Sequence, residues 1–275
     1  MKICLVGLGI IGCAWAPHYH QIGYDLSLWN RTPKDLKGYE PNLKKAVSAA
    51  ETIHIVVADP PAVEGVLDQI IEVVDKHALI IQSSTISGEW ARKFSDKVQA
   101  LGTSYVEAPF TGSKIAAEEG ANIFFLGGEG KAKEKARQVL APIAKNCFDV
   151  GSVEQACGIK LAMNIQIAMI SQALNEGLSF ARKSGIEDEL FFKVLSENVA
   201  QSGVAKLKMP KLTKNDYTPQ FSIKHMHKDI KLALSSGGDS LLPLTKCNEE
   251  LYAKGVSQGL QDKDFSALIQ LLREN

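Results

Sequence analysis

Up to about Gly151 the chain alternates short β-branched apolar runs with amphipathic stretches. The runs are KICLV, YDLSLW, IHIVV, ALIIQ, SYVEA, NIFFLGG and CFDVG. Strands spaced by helical patterns imply crossover connections, and so a mostly parallel sheet with helices on both faces. Beyond Gly151 the strand pattern stops. A long apolar segment is followed by DELFFKVLSENVA, FSIKHMHKDIKLALSS, LPLTKCNEELYAKGVSQ and DFSALIQLLRE, all repeating at a helical period. The pattern predicts an α/β chain whose sheet domain covers residues 1–151 and whose all-α domain covers 152–275. Ser152 with Gln155 three residues on fits a capping box, which starts the long helix near Val153 with no flexible linker.

Composition narrows the function. A length of 275 residues is consistent with two domains. The 31 basic and 31 acidic residues cancel, which argues against nucleic-acid or membrane-surface binding, where affinity rests on a positive excess. Cys4, Cys13, Cys147, Cys157 and Cys247 form neither a CxxC pair nor an even framework, as expected of reduced thiols in the cytoplasm. The start MKICLVGLG is broken by glycines well short of a secretory or spanning segment. His225 and His227 would diverge on a helix, and His18 and His20 lack a partner set, so no metal site is expected.

The first chemical motif is GLGIIG: Gly7, Leu8, Gly9, Ile10, Ile11 and Gly12. After a strand and before a helix, glycines at this spacing allow a tight turn, close approach of a pyrophosphate and helix-on-strand packing. That context favours a dinucleotide over an ordinary glycine-rich turn and makes the sheet domain Rossmann-type. The end of the second strand bears on which dinucleotide. An acidic residue there would bond the ribose 2′-hydroxyl of NAD; this chain has Asn30, Arg31 and Thr32. Arg31 can grip a 2′-phosphate bidentately, so NADP(H) is expected, the other reading being a solvated loop arginine.

Lys160 lies inside the apolar run CGIKLAMNIQIAMI. In a helix starting near Val153 it sits beyond the reach of the helix-end dipole, on one stripe with Asn164 and Ser171. From the pattern alone it reads equally as a cleft residue or as a lysine that snorkels to water.

The ordered set GLGIIG, Asn30-Arg31-Thr32, EAPFTGSK, GIKLAMN and KHMHKDIKLAL resembles the β-hydroxyacid dehydrogenases, the group containing 3-hydroxyisobutyrate and 6-phosphogluconate dehydrogenases. The resemblance covers essentially the whole chain, and EAPFTGSKIAAEEG looks most like the glyoxylate and succinic semialdehyde reductases. It implies that Lys160 is the catalytic general acid/base and that Asn164 holds substrate. It further implies that Thr111 and Gly112 form the turn receiving a substrate carboxylate, that Thr85 contacts the cofactor near the nicotinamide, and that Lys228 closes the cofactor site with Asp229 as its structural partner. Without the resemblance, Thr111-Gly112 reads as a plain βα loop and Lys228 as part of a solvated helix face.

A lysine tuned to about 7–8 by an apolar site can protonate the oxygen as hydride reaches the carbon. The expected activity is therefore NADPH-dependent reduction of a small aldehyde or keto acid to the hydroxy acid. The alternatives are another β-hydroxyacid as substrate, a nonenzymatic NADP(H)-binding interaction module and, less attractive, an imine reductase. The resemblance also implies a homodimer or homotetramer. One stretch and two single residues depart from the family pattern: Cys13-Ala14-Trp15-Ala16 stands where methionine, proline and small residues are common, Thr111 replaces serine, and Ala156 stands where glycine is frequent. The bulk of Trp15 bears on helix packing and cofactor fit.

Overall fold

The computed structural model describes residues 1–238 and 240–272, which divide into two compact units, Met1–Lys160 and one beginning at Leu161. The first unit holds eight strands among the described residues: β1 Lys2–Val6, β2 Asp25–Trp29, β3 Thr52–Ile55, β4 Leu79–Gln82, β5 Ser104–Glu107, β6 Phe110–Thr111, β7 Asn122–Gly128 and β8 Ala144–Gly151. Its helices are α1 Ile10–Gln21, α2 Leu43–Val47, α3 Pro60–Ile70, α4 Gly88–Gln99, α5 Lys114–Glu118 and α6 Gly130–Leu140. All seven predicted runs are strands; the two-residue β6 is an addition too short to leave a periodic signal.

The sheet order is β2-β1-β3-β4-β5-β7-β6, with β8 paired to β7. Strands β1 to β5 pair in parallel, whereas β7 runs antiparallel to β5 and β6 and parallel to β8. Both faces of the central strands are buried, which is why they read as continuous apolar runs. In β1, Ile3 and Leu5 enter the core on one face, while Cys4 and Val6 enter the core on the other. Local signals set the helix starts. Asp59 accepts from the Ala62 N–H ahead of α3, where Pro60 takes the first helical position, and Ser87 caps α4.

The long helix α7 runs Val153–Lys183. It opens on the expected capping box, with Ser152 N–H donating to Gln155 Oε1 at 2.8 Å and Gln155 N–H to Ser152 Oγ at 3.3 Å. The sequence pattern changes at Gly151, yet the compact units part at Lys160. The first turns of α7 belong with the sheet because Val153 and Cys157 pack into its core.

The second unit continues α7 and adds α8 Asp188–Ser196, α9 Gly203–Lys214, α10 Ile223–Gly237 and α11 Pro243–Ser257. Its core gathers Ala168 of α7, Ile223, Met226 and Ile230 of α10, Tyr252 of α11, and Phe265 and Leu268. Two details differ from the pattern. Helix α9 was not among the predicted helices, and the segment expected as a final helix is 3₁₀ over Phe265–Leu272; the last residues of that expectation, Arg273 and Glu274, lie outside the described residues. All five cysteines are free.

Candidate functional site

Strand order reverses at β1, which has β2 on one side and β3 on the other. The carboxyl ends of strands at such a switch point frame a ligand crevice in open parallel sheets. Here the GLGIIG turn leaves β1. Gly7 holds a φ of 104°, and a Cβ on it would lie 2.1 Å from the Val56 carbonyl oxygen. A Cβ on Gly12 would lie 1.9 Å from the Gly7 carbonyl oxygen. Packing alone demands glycine at both positions. Gly9 is different: nothing stands within 4 Å of where its Cβ would be, and no side chain caps the helix that starts beside it. Open backbone at an uncapped start of the twelve-residue α1 suits the approach of a pyrophosphate.

Asn30 ties this turn to the end of β2. Its Oδ1 accepts from the Leu8 N–H at 2.9 Å, and its Nδ2 donates to the Thr32 carbonyl at 2.8 Å. Arg31 and Thr32 are exposed just beyond, and Thr85 is half-buried in the connection from β4 to α4. Leu8 is buried beneath the turn and Ile10 is 47% exposed. The six motif residues and Asn30 thus form one structural unit, with Arg31 and Thr32 at its rim.

Lys160 is the eighth residue of α7 and only 8% exposed. Its Nζ stands 5.9 Å from the centroid of the Phe110 ring, within cation–π range, and Phe110 immediately precedes Thr111 and Gly112. The lysine and the expected carboxylate turn are therefore neighbours. Gly112 adopts φ 126°, a conformation that L side chains rarely take.

The helix bearing Lys160 is fastened to the sheet by a buried polar cluster. Glu107, at the end of β5, accepts from the Tyr105 hydroxyl and from Gln82 Nε2, each at 2.7 Å. It also accepts from the Cys157 thiol, one turn before Lys160. Burial pushes the Glu107 carboxyl up to about 8 against these hydrogen bonds. His54, equally buried, bonds the Tyr19 hydroxyl and Ser83 Oγ, each at 2.9 Å, and desolvation lowers it to about 3. Trp15 stacks on His54 with ring centroids 5.0 Å apart and meets Phe110 edge-on at 4.9 Å. Its bulk is absorbed by the core of the sheet layer instead of projecting from the glycine turn.

In the second unit Asn164 and Lys228 meet through one residue. Asn164 Nδ2 donates to Asp229 Oδ2 at 2.6 Å, and Lys228 Nζ lies 2.7 Å from Asp229 Oδ1. Asp229 is 1% exposed, so it joins the two candidate residues, a role that its expected pairing with Lys228 gave only in part. Its adjacency to Lys228 was the available signal; the link to Asn164 spans 65 residues. Among the described residues no group of three or more His, Cys, Asp or Glu side chains could hold a metal ion.

The chain has clear relatives. The family model for the NAD binding domain of 6-phosphogluconate dehydrogenase matches residues 2–151, and that for NAD-binding of NADP-dependent 3-hydroxyisobutyrate dehydrogenase matches residues 155–272. Glyoxylate/succinic semialdehyde reductase 1 of Arabidopsis thaliana is 30% identical over 99% of both chains. The 2-hydroxy-3-oxopropionate reductase of Escherichia coli strain K12 is 29% identical over 99% of this chain and 97% of its own. The fold is shared with 3-hydroxyisobutyrate dehydrogenase of Mycobacterium tuberculosis, solved with L-serine, at a TM-score of 0.90, 24% identity and 99% of both chains. Fold and matches together define an oxidoreductase class with a nicotinamide-dinucleotide domain. The chain belongs to the NAD(P)-dependent β-hydroxyacid dehydrogenase family.

Proposed function

We propose that this chain is an NADPH-dependent reductase that converts a small aldehyde or keto acid, of the glyoxylate or succinic semialdehyde type, into the hydroxy acid. The observation that carries the reading is the buried Lys160 with its head over Phe110, beside the Thr111-Gly112 turn. A carboxylate held at that turn leaves the carbonyl oxygen of the same small molecule to face an ammonium donor. When bound, the dinucleotide supplies the hydride. Lys160 gives a proton from Nζ to the carbonyl oxygen as negative charge develops there, and its cation stabilises that charge before transfer. Thr111 and Gly112 orient the acid group, and Asn164, fixed through Asp229, serves as a substrate ligand. The glycine turn holds the pyrophosphate, with Thr85 and Lys228 as further cofactor contacts. Support for NADPH is Arg31-Thr32 at the rim of the turn with no carboxylate at the end of β2: a guanidinium grips a 2′-phosphate and an acidic residue would repel it. The relatives that reduce glyoxylate or succinic semialdehyde support the substrate class. The test is NADPH oxidation followed at its absorbance band against glyoxylate, succinic semialdehyde and a series of other small aldehydes and keto acids. Saturable turnover with at least one carboxylate-bearing carbonyl is expected. Tight NADPH binding with no turnover across the series would overturn the proposal.

A further inference from the structure

Asn122 is an amide in the otherwise apolar run NIFFLGG. It opens β7 at a bulge, where pairing with β8 shifts register between Asn122 and Ile123, and bulges re-aim side chains. The residue is fully buried. The Trp15 indole N–H donates to its Oδ1 at 2.8 Å. An indole nitrogen only donates, so this bond fixes which way the amide faces and leaves Nδ2 pointing elsewhere. Where it points is given by Gly112: a Cβ on that residue would lie 2.5 Å from Asn122 Nδ2. That Nδ2 is buried and has no hydrogen-bond partner, although a buried amide donor normally has one. Trp15 also seats Phe110, the residue under Lys160. One indole therefore touches both ends of the Phe110–Gly112 segment, by its ring and through the Asn122 amide.

We propose that Asn122, oriented by Trp15, is a positioning residue that holds the Thr111-Gly112 turn in the geometry that receives a substrate carboxylate. The proposal rests on the reading of that turn as the substrate site. Nδ2 is the unspent donor beneath the turn, and in the substrate-bound enzyme it donates to the backbone of that turn and keeps it in the receiving geometry. Selectivity for acids over uncharged carbonyls is then set partly by a side chain that never touches the substrate. The same pair gives Trp15 a use beyond packing, since methionine, proline and small residues all lack its indole N–H.

The test compares the wild type with Asn122→Leu, which removes the donor at similar volume, with Trp15→Phe, which keeps the aromatic contacts and removes the N–H, and with the double variant. Thermal melting establishes that each folds. Glyoxylate and an uncharged aldehyde, propionaldehyde, serve as substrates, and glycolate titrated into the enzyme–NADPH complex, an abortive pair, reads acid binding without turnover. Each single variant should raise KM for glyoxylate and Kd for glycolate about 3- to 10-fold, the worth of one hydrogen bond. kcat, NADPH affinity and KM for propionaldehyde should stay within about 2-fold. The double variant should lose no more than either single variant, because the pair acts as one unit. Unchanged glyoxylate KM and glycolate Kd in Asn122→Leu, or equal losses for glyoxylate and propionaldehyde, would overturn the proposal. Thr111→Val and Gly112→Ala separate the two readings: if they weaken glycolate binding and Asn122→Leu does not, only the positioning role fails. If none of them does, the substrate turn itself is misassigned and the positioning role falls with it.

Discussion

Replacing Glu107 by glutamine should change the way stability depends on pH. Glu107 is a carboxyl with an ordinary value of 4.5 held at about 8 by burial. Below 4.5 the folded and unfolded chains both carry the proton, and the group has no linkage to folding. Between 4.5 and 8 the folded chain keeps a proton that the unfolded chain releases, so stability falls as pH rises, by about 1.4 kcal/mol per pH unit. Over the interval of about 3.5 pH units the penalty reaches an upper bound of about 5 kcal/mol, saturating above 8. His54 works in the opposite sense. Lowered from 6.5 to about 3, it contributes stability that is present above 6.5 and lost as pH falls toward 3. The two slopes oppose one another between 4.5 and 6.5, so the wild type should be least pH-sensitive there and should weaken from 6.5 to 8. Glutamine cannot ionise, and Glu107→Gln should lose the alkaline part of that decline. Urea titrations at one-unit pH intervals from 5 to 9, read by tryptophan fluorescence, suit the question because Trp15, Trp29 and Trp90 all lie in the sheet unit. The difference in unfolding free energy between variant and wild type should rise by roughly 1 kcal/mol per pH unit up to about pH 8. Parallel curves, with a difference independent of pH, would refute a raised Glu107.

Three further outcomes separate packing from chemistry. Gly9→Ala should melt like the wild type, since its Cβ meets nothing, yet bind NAD(P)H far more weakly in a fluorescence titration; Gly12→Ala should lose stability itself, and cofactor binding unaffected by Gly9→Ala would remove the crevice assignment. Arg31→Ala should raise Kd for NADPH about tenfold or more with little change for NADH, the value of a charge-assisted bidentate contact, and equal losses would contradict the 2′-phosphate role. Lys208→Ala should destabilise the helical unit by about 3–5 kcal/mol in far-UV circular dichroism melts. It strands the fully buried Asp264, 2.9 Å from the lysine Nζ, and a loss below about 1 kcal/mol would mark the pair as energetically neutral.

Signals close in sequence were legible and distant pairings were not. Apolar runs bounded by turn residues located the seven longer strands, the glycine spacing located the turn at the end of β1, and Ser152 with Gln155 located the start of α7. Helix α9 escaped because two of its four buried residues, Lys208 and Lys211, are lysines. Ala205, Lys208 and Leu212 share its buried face, and Pro210 reads as a breaker, so the apolar period is masked until Asp264, 56 residues on, neutralises Lys208. The final segment has the apolar content of a helix, but the pattern does not separate α from 3₁₀ winding over eight residues. At the candidate site, Lys160 stood out as a charge in an apolar run. The bridge through Asp229 and the Trp15–Asn122 bond join residues 65 and 107 positions apart, and periodicity carries no information about such contacts.

The proposed mechanism has Lys160 donate the proton. The direct measurement is kcat/KM of wild type, Lys160→Ala and Lys160→Arg for the best carboxylate-bearing carbonyl, alongside NADPH Kd. Arginine preserves a positive charge and cannot give up its proton near neutral pH, so it tests donation apart from electrostatics. Both variants should bind NADPH as the wild type does while losing about 10²- to 10⁴-fold in kcat/KM. Turnover preserved within a few-fold in Lys160→Ala would rule out proton donation by Lys160.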